Sequence, residues 1–76
     1  METNDFIKNF ADIFDDTDIS EFTPETKFRD LDEWSSLHAL ATLNMIELKY
    51  SVKVTPDEMK TTNSINELYK LVVSKK

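Results

Sequence analysis

Two adjacent serines, Ser35 and Ser36, stand where an acidic segment gives way to an apolar one, in the stretch LDEWSSLHAL of residues 31–40. The apolar residues that follow have helical spacing, so the serines lie at the start of a predicted helix. Free amides and the helix dipole make such a position favourable for a phosphate group. Serine is also a common helix cap. Two serines in succession allow one to cap while its neighbour stays free for covalent modification.

Other reactive side chains have less favourable spacing. His38 lies two residues from Ser36, and helix residues at that spacing do not face each other, so we expect an exposed imidazole rather than a serine–histidine pair. The acidic run at residues 16–20 has the spacing of a calcium loop, but it lacks the turn glycine, and Lys27 occupies the place of the bidentate glutamate. The chain contains no glycine, which excludes glycine-dependent phosphate loops. The sequence therefore predicts neither a metal site nor an active site.

Apolar residues at helical spacing predict four helices, near residues 3–15, 36–50, 56–60 and 65–74. Thr3 or Asn4 can cap the first helix. The second helix is apolar over most of its circumference. Its predicted inner stripe comprises Leu37, Leu40, Leu43, Ile46 and Tyr50.

The later helices have clear start signals. Thr55, Pro56 and Glu58 predict a capping box with proline at the first helical position. Ser64 and Glu67 predict a second capping box. Between the second and third helices, the stretch SVKV is predicted to be extended, with its two valines turned inward.

Residues 15–34 lack sustained periodicity, and loops of this length in compact domains often have a function. Four apolar side chains are predicted to anchor the loop to the core, namely Ile19, Phe22, Phe28 and Leu31. Trp34 is expected to pack partly against the bundle and so to fix the end of the loop beside the serines.

Length and composition predict one domain spanning residues 1–76, stabilised by packing because there is no cysteine. No signal peptide or apolar membrane span is apparent, so we expect a soluble cytoplasmic protein. Residues 1–33 carry eleven acids against three bases, whereas residues 34–76 carry four acids against six bases. This field disfavours nucleic acid and attracts a basic protein surface. The acids can equally serve solubility alone.

The stretch FRDLDEWSSLHAL, with the acidic loop before it and VKVTPDEM and SINELYKLV after it, resembles the acyl carrier protein family from Phe6 to Val73. The resemblance implies an all-α fold, a small four-helix bundle with a long first loop and a short third helix. In that family, a serine in an Asp-Ser-Leu motif receives a 4′-phosphopantetheine arm from coenzyme A. Leu37 sets the register, which places Ser36 at the attachment position. Ser35, one position earlier, is then expected to cap the helix with its side-chain oxygen. Ser35 replaces the motif aspartate, as expected of a specialised rather than a housekeeping member.

The resemblance further implies a non-enzymatic carrier, expected to be monomeric, that holds an acyl or aminoacyl thioester. Its partners would be a phosphopantetheinyl transferase and the acyl-loading and acyl-processing enzymes of fatty-acid, polyketide or related specialised biosynthesis. The expected partner-docking residues are Asp30, Asp32, Glu33, Leu37 and Glu47. The candidates for an acyl pocket are Leu40, Leu43, Ile46, Met59, Ile65 and Leu68. Because the motif aspartate is missing, the alternative is an unmodified carrier fold that acts as a protein-interaction module.

Overall fold

A computed structural model describes residues 3–76, which form four α-helices. These are α1 (Thr3–Ala11), α2 (Ser36–Tyr50), α3 (Pro56–Lys60) and α4 (Ile65–Ser74). Two short 3-10 turns, Ile19–Glu21 and Phe28–Asp30, interrupt the first loop. No strand occurs within the described part of the chain. The prediction of a small all-α bundle with a long first loop and a short third helix is confirmed.

The first helix is shorter than predicted, because it ends at Ala11 and not near residue 15. Beyond Ala11, the amides of Ile13 and Phe14 donate to carbonyl oxygens three residues back instead of four. The amides of residues 15–16 then donate to the carboxylate of Glu33, both at 3.1 Å. A long-range hydrogen-bond acceptor therefore diverts the chain from the helix, although Phe14 remains buried.

The start of α1 also differs from expectation. Thr3 and Asn4 both lie inside the helix, so neither is its cap. The residue before Thr3 falls outside the described part of the chain, and the predicted cap therefore has no observed counterpart.

The core lies where α1 packs against α2 and α4. Phe6 of α1 lies 5.6 Å from the ring of Tyr50 in α2 and 5.5 Å from the ring of Tyr69 in α4, measured between ring centroids. The largest fully buried apolar side chains are Phe6, Phe10, Phe28, Ile46, Ile65, Leu68 and Val72. One continuous apolar cluster thus joins the three longer helices.

The predicted inner stripe of α2 is partly wrong. Leu37 and Leu40 were expected to face inward, yet they are 76% and 60% exposed. Thr42 is fully buried instead, because its hydroxyl donates to the carbonyl oxygen of His38 at 2.8 Å and so needs no water. A helix that is apolar nearly all round does not specify which face turns inward. The buried residues of α2 are Thr42, Met45, Ile46 and Tyr50.

The long loop is anchored mainly by aromatic side chains. Phe22 and Phe28 are buried as predicted, and Leu31 packs partly against the core. Ile19 is 63% exposed, contrary to prediction. It begins a 3-10 turn that is capped by Asp18 through the amide of residue 20, and this local bond stabilises the turn without burying its apolar residue.

Trp34 packs partly against the bundle, as predicted. Its ring is stacked with that of Phe10, with the planes 3° apart and the centroids 6.2 Å apart. It also contacts Phe28 at a centroid distance of 5.0 Å. The end of the long loop is therefore fixed beside the start of α2.

The start of α3 forms as predicted, with a complete capping box between Thr55 and Glu58 and with Pro56 in the first turn. The second box is only half formed. Ser64 accepts from the amide of Glu67 at 3.2 Å, but the Glu67 carboxylate accepts from the amide of residue 63 and not from that of Ser64.

The two valines of SVKV are buried as predicted. None of the helices described here has the length and apolar character needed to cross a membrane.

Candidate functional site

The two serines at the start of α2 have different roles. Ser35 is the N-cap, with extended backbone angles (φ −150°, ψ 175°), and its Oγ accepts from the amide of His38 at 3.3 Å. The same Oγ lies 2.8 Å from Nδ1 of His38. The expectation that Ser35 caps the helix is confirmed.

Ser36 is the first residue of α2 and is exposed. Nothing within residues 3–76 hydrogen bonds to its hydroxyl. It also stands at the positive end of a 15-residue helix. Of the two serines, Ser36 therefore has the hydroxyl that is free for covalent attachment.

An apolar groove of about 300 Å³ lies beside Ser36, between α2 and α3. Its lining residues are Arg29, Ser36, Ala39, Leu40, Leu43, Pro56, Met59 and Lys60. Most of this lining is aliphatic, and Arg29 and Lys60 are its only charged members. A covalent group attached to this hydroxyl can place an apolar chain at its far end in the groove.

The six expected pocket residues divide into two sets. Leu40, Leu43 and Met59 line the groove. Ile46, Ile65 and Leu68 are fully buried in the core and do not line it. Helical spacing does not separate Leu40 and Leu43 from Ile46, because α2 is apolar nearly all round and its sequence does not specify which face turns inward.

Arg29 holds the α3 side of this groove in place. Its Nη2 donates to the carbonyl oxygen of Met59 at 2.8 Å, and its Nη1 donates to that of Thr62 at 2.6 Å. The guanidinium also lies over the Phe28 ring, 4.9 Å from its centroid. In α3, the Glu58 carboxylate pairs with Nζ of Lys75 at 2.7 Å. Arg29 was not among the predicted site residues, because its partners are backbone carbonyls about thirty residues away.

His38 is not the exposed imidazole that the sequence predicted. It is half-buried, and its ring stacks on that of Phe14 at a centroid distance of 4.7 Å. Its Nε2 lies 3.4 Å from Oε2 of Glu33. The prediction considered Ser36, two residues away, whereas Ser35 is three residues away and on the same side of the helix turn. That spacing was visible in the sequence.

Glu33 is bonded within the loop and is not a free surface acid. Its carboxylate accepts from the Thr17 hydroxyl at 2.7 Å and from the amides of residues 15–16. The hydrogen bond from Thr17, followed by those amides and by His38, lowers the pKa of Glu33 below its ordinary value of 4.5. Asp30 and Asp32, also expected to dock partners, are exposed. Among residues 3–76 no hydrogen bond or ion pair holds their carboxylates.

The outward face of α2 is unusually apolar. Leu37, Leu40 and Leu48 are all exposed on it, and Leu48 is 74% exposed. Asn44 and Glu47 are the exposed polar residues between them. Leu37 and Glu47, two of the expected docking residues, thus lie on the surface that also presents Ser36.

Comparison with known protein families agrees with this site. A family model described as a phosphopantetheine attachment site matches residues 5–72, a range that includes Ser36 and all of α2 and α3. Searches of curated proteins and of solved structures returned no match. The match covers most of the chain. The chain therefore belongs to the family of phosphopantetheine-binding carrier domains, whose members bear a covalently attached 4′-phosphopantetheine arm.

Proposed function

We propose that this chain is an acyl carrier whose arm is attached to Ser36. It holds an acyl or aminoacyl group as a thioester and delivers it, as a cytoplasmic monomer, to enzymes of fatty-acid, polyketide or related specialised biosynthesis. When bound, the arm supplies the thiol that the cysteine-free chain lacks. The observation that carries the proposal is the free, exposed Ser36 hydroxyl beside an apolar groove, next to a serine that is already bonded.

The chain's own residues support such a carrier in two ways. The N-terminal end of α2 offers a favourable field for the phosphodiester at Ser36. Leu40, Leu43 and Met59 line an apolar groove in which an acyl chain is shielded from water. Burial of apolar surface contributes about 25 cal/mol per Å², so even a partly covered chain gains from the groove.

Partner recognition is assigned to two neighbouring surfaces. Asp30 and Asp32 provide exposed negative charge on the loop that precedes the serines. Leu37, together with Glu47 farther along α2, contacts the enzyme that approaches Ser36. Charge attraction accelerates the encounter, whereas the apolar contacts slow dissociation. The partners include a phosphopantetheinyl transferase and the enzymes that load and process the acyl group.

The test is incubation of the chain with coenzyme A and a promiscuous phosphopantetheinyl transferase, followed by intact mass measurement and peptide mapping. We expect one arm on Ser36, none after Ser36→Ala, and normal modification of Ser35→Asn, which keeps a good helix cap. An arm on Ser35 overturns the assigned register. No modification with any transferase supports the alternative of an unmodified interaction module.

A further inference from the structure

Three side chains at the start of α2 form a continuous chain of polar contacts that a carrier does not require. Ser35 Oγ lies 2.8 Å from Nδ1 of His38, and Nε2 of His38 lies 3.4 Å from Oε2 of Glu33. A hydroxyl, an imidazole and a carboxylate in this order are the parts of an activated nucleophile. We propose that Ser35, His38 and Glu33 form an acyl-accepting site that reacts with short-chain activated esters.

The geometry assigns each group a role. With Ser35 donating its hydroxyl proton to Nδ1, the imidazole carries its own proton on Nε2, which faces Glu33. Glu33 is held by Thr17 and by two backbone amides, and these bonds keep its carboxylate ionised and oriented. Stacking on Phe14 fixes the plane of the imidazole. Glu33 is therefore the positioning residue, His38 the base and Ser35 the nucleophile.

Helix capping alone does not account for this arrangement. A capping serine needs only the bond to the amide of His38, which is present at 3.3 Å. Ser64 shows the simpler case, because it caps α4 through the amide of Glu67 and has no imidazole beside it. The additional contacts of Ser35 through His38 to Glu33 are thus specific to the start of α2.

The surroundings also offer a place for the acyl group. The amides of Ser36 and Leu37 have no hydrogen-bond partner within residues 3–76, and such amides at a helix start can stabilise a developing oxyanion. A separate pocket of about 170 Å³ lies beside the imidazole and is lined by Ile13, Leu37, His38 and Ala41. Its mainly apolar lining and small volume favour a short acyl chain.

The reaction with an activated ester proceeds in two balanced steps. Ser35 Oγ forms a bond to the acyl carbon, its proton passes to Nδ1 of His38, and the alcohol leaves with that proton as its bond to the acyl carbon breaks. Water then adds to the acyl carbon and gives one proton to Nδ1. Ser35 Oγ leaves with this proton, which releases the carboxylic acid and restores the site. No electrons are gained or lost from the protein.

The experiment uses the full unmodified chain with p-nitrophenyl acetate, so its outcome does not depend on whether Ser36 accepts an arm. Release of p-nitrophenol and peptide mapping are followed between pH 5 and 9. We expect acetyl on Ser35 and none on Ser64. His38→Asn keeps an acceptor near the position of Nδ1 but removes the base, and we expect the rate to fall at least about tenfold.

Further variants distinguish loss of the reactive site from loss of the folded structure. Ser35→Asp keeps the helix cap and should abolish the acetyl adduct on residue 35. Glu33→Gln should slow acetylation about tenfold. The control Glu25→Gln should leave the rate of acetylation unchanged. Circular dichroism confirms that each variant is folded. Acetyl on lysines alone, or equal Ser35 acetylation in the wild type and in His38→Asn, overturns the proposal.

Discussion

Arg29 donates from Nη2 to the carbonyl oxygen of Met59 at 2.8 Å, and this bond joins the long first loop to the last turn of α3. A second donor on the same guanidinium serves Thr62. The last carbonyls of a helix have no i+4 amide to bond, and Met59 O also accepts from the amide and the hydroxyl of Thr62. Arg29 adds a charged donor to this C-terminal end of α3. It also brings the loop against the groove beside Ser36.

Replacing Arg29 should destabilise the fold. Arg29→Leu leaves two carbonyl oxygens without their charged donor, and bonds of this kind contribute about 1.5–3 kcal/mol. Because Arg29 is partly exposed, we expect a loss near the lower end, about 1.5 kcal/mol, in urea unfolding. Arg29→Lys retains the charge without the planar fork and should lose an intermediate amount. Equal stability of all three proteins would exclude the capping role.

The fold should show a pH dependence that arises at Glu33. Its folded-state pKa is lowered, first by the Thr17 hydroxyl, below the ordinary value of 4.5. The ionised carboxylate therefore stabilises the folded state above pH 4.5, and this contribution is lost as the pH falls through the lower folded-state pKa. Glu33→Gln should be less stable than wild type at pH 7, with the difference shrinking in acid. Glu25→Gln is the control, because no hydrogen bond or ion pair holds the Glu25 carboxylate within residues 3–76. If the stability difference between Glu33→Gln and wild type did not vary with pH, the Glu33 carboxylate would not be the source of the pH dependence.

Asp30 and Asp32 should account for most of the electrostatic attraction to a partner. The double variant Asp30→Asn, Asp32→Asn should slow association with the cognate transferase more than Glu47→Gln does, because α2 carries little negative charge. The effect should weaken as salt is raised, since exposed charges are screened. Stopped-flow association rates at several salt concentrations give the comparison. Equal effects of the two substitutions, or a rate insensitive to salt, would count against this surface.

The apolar outward face of α2 should contribute to partner affinity without contributing to the fold. Leu48→Ala removes a side chain that is 74% exposed, so the free energy of unfolding should change by less than about 0.5 kcal/mol. If Leu48 contacts the enzyme, the affinity of the carrier for that enzyme should fall by about fivefold or more, which corresponds to about 1 kcal/mol. Val73→Ala is the matched control, because Val73 is also exposed but lies on α4. Calorimetric titration measures the affinity of each variant for the enzyme. Equal affinities of Leu48→Ala and Val73→Ala would exclude a contribution of the α2 face to binding.

Ser35→Asp rebuilds the Asp-Ser-Leu motif around Ser36 and should accelerate modification by a general transferase. Aspartate caps a helix about as well as serine, and its charge adds about 0.3–1 kcal/mol at a helix N-terminus. Repulsion from Asp32 and Glu33 offsets part of that gain. A dedicated transferase should instead prefer wild type, if Ser35 serves to exclude the wrong partner. Initial rates for both proteins with both transferases test this, and identical rates would mean that the replacement of aspartate is neutral.

Much of the fold follows from local sequence. Three helices lie close to their predicted bounds, because the box at Thr55, the cap at Ser64 and the serine pair are local signals. What local sequence does not contain is the position of distant partners. The acceptor at Glu33 ends α1 early, and the rotation of α2 depends on packing that a nearly uniform apolar helix does not specify.

The site was predicted to a similar extent. The order of residues around Ser36 identified the free serine, and the capping role of Ser35 followed from its position one residue earlier. The contact of Ser35 with His38 was missed, although its three-residue spacing is local. The groove was only partly foreseen, because its opening between α2 and α3 depends on Arg29, whose bonds span the first loop and α3.

The helix α3 has five residues, too few to be stable as a helix on its own in water. It is held by the bond from Arg29 to Met59 and by the ion pair of Glu58 with Lys75. One wall of the groove is therefore positioned in part by Glu58 and Lys75, which do not line the groove. On the proposed function, a substitution at Lys75 near the end of α4 would alter the shape of the groove, while every residue that lines it stays the same.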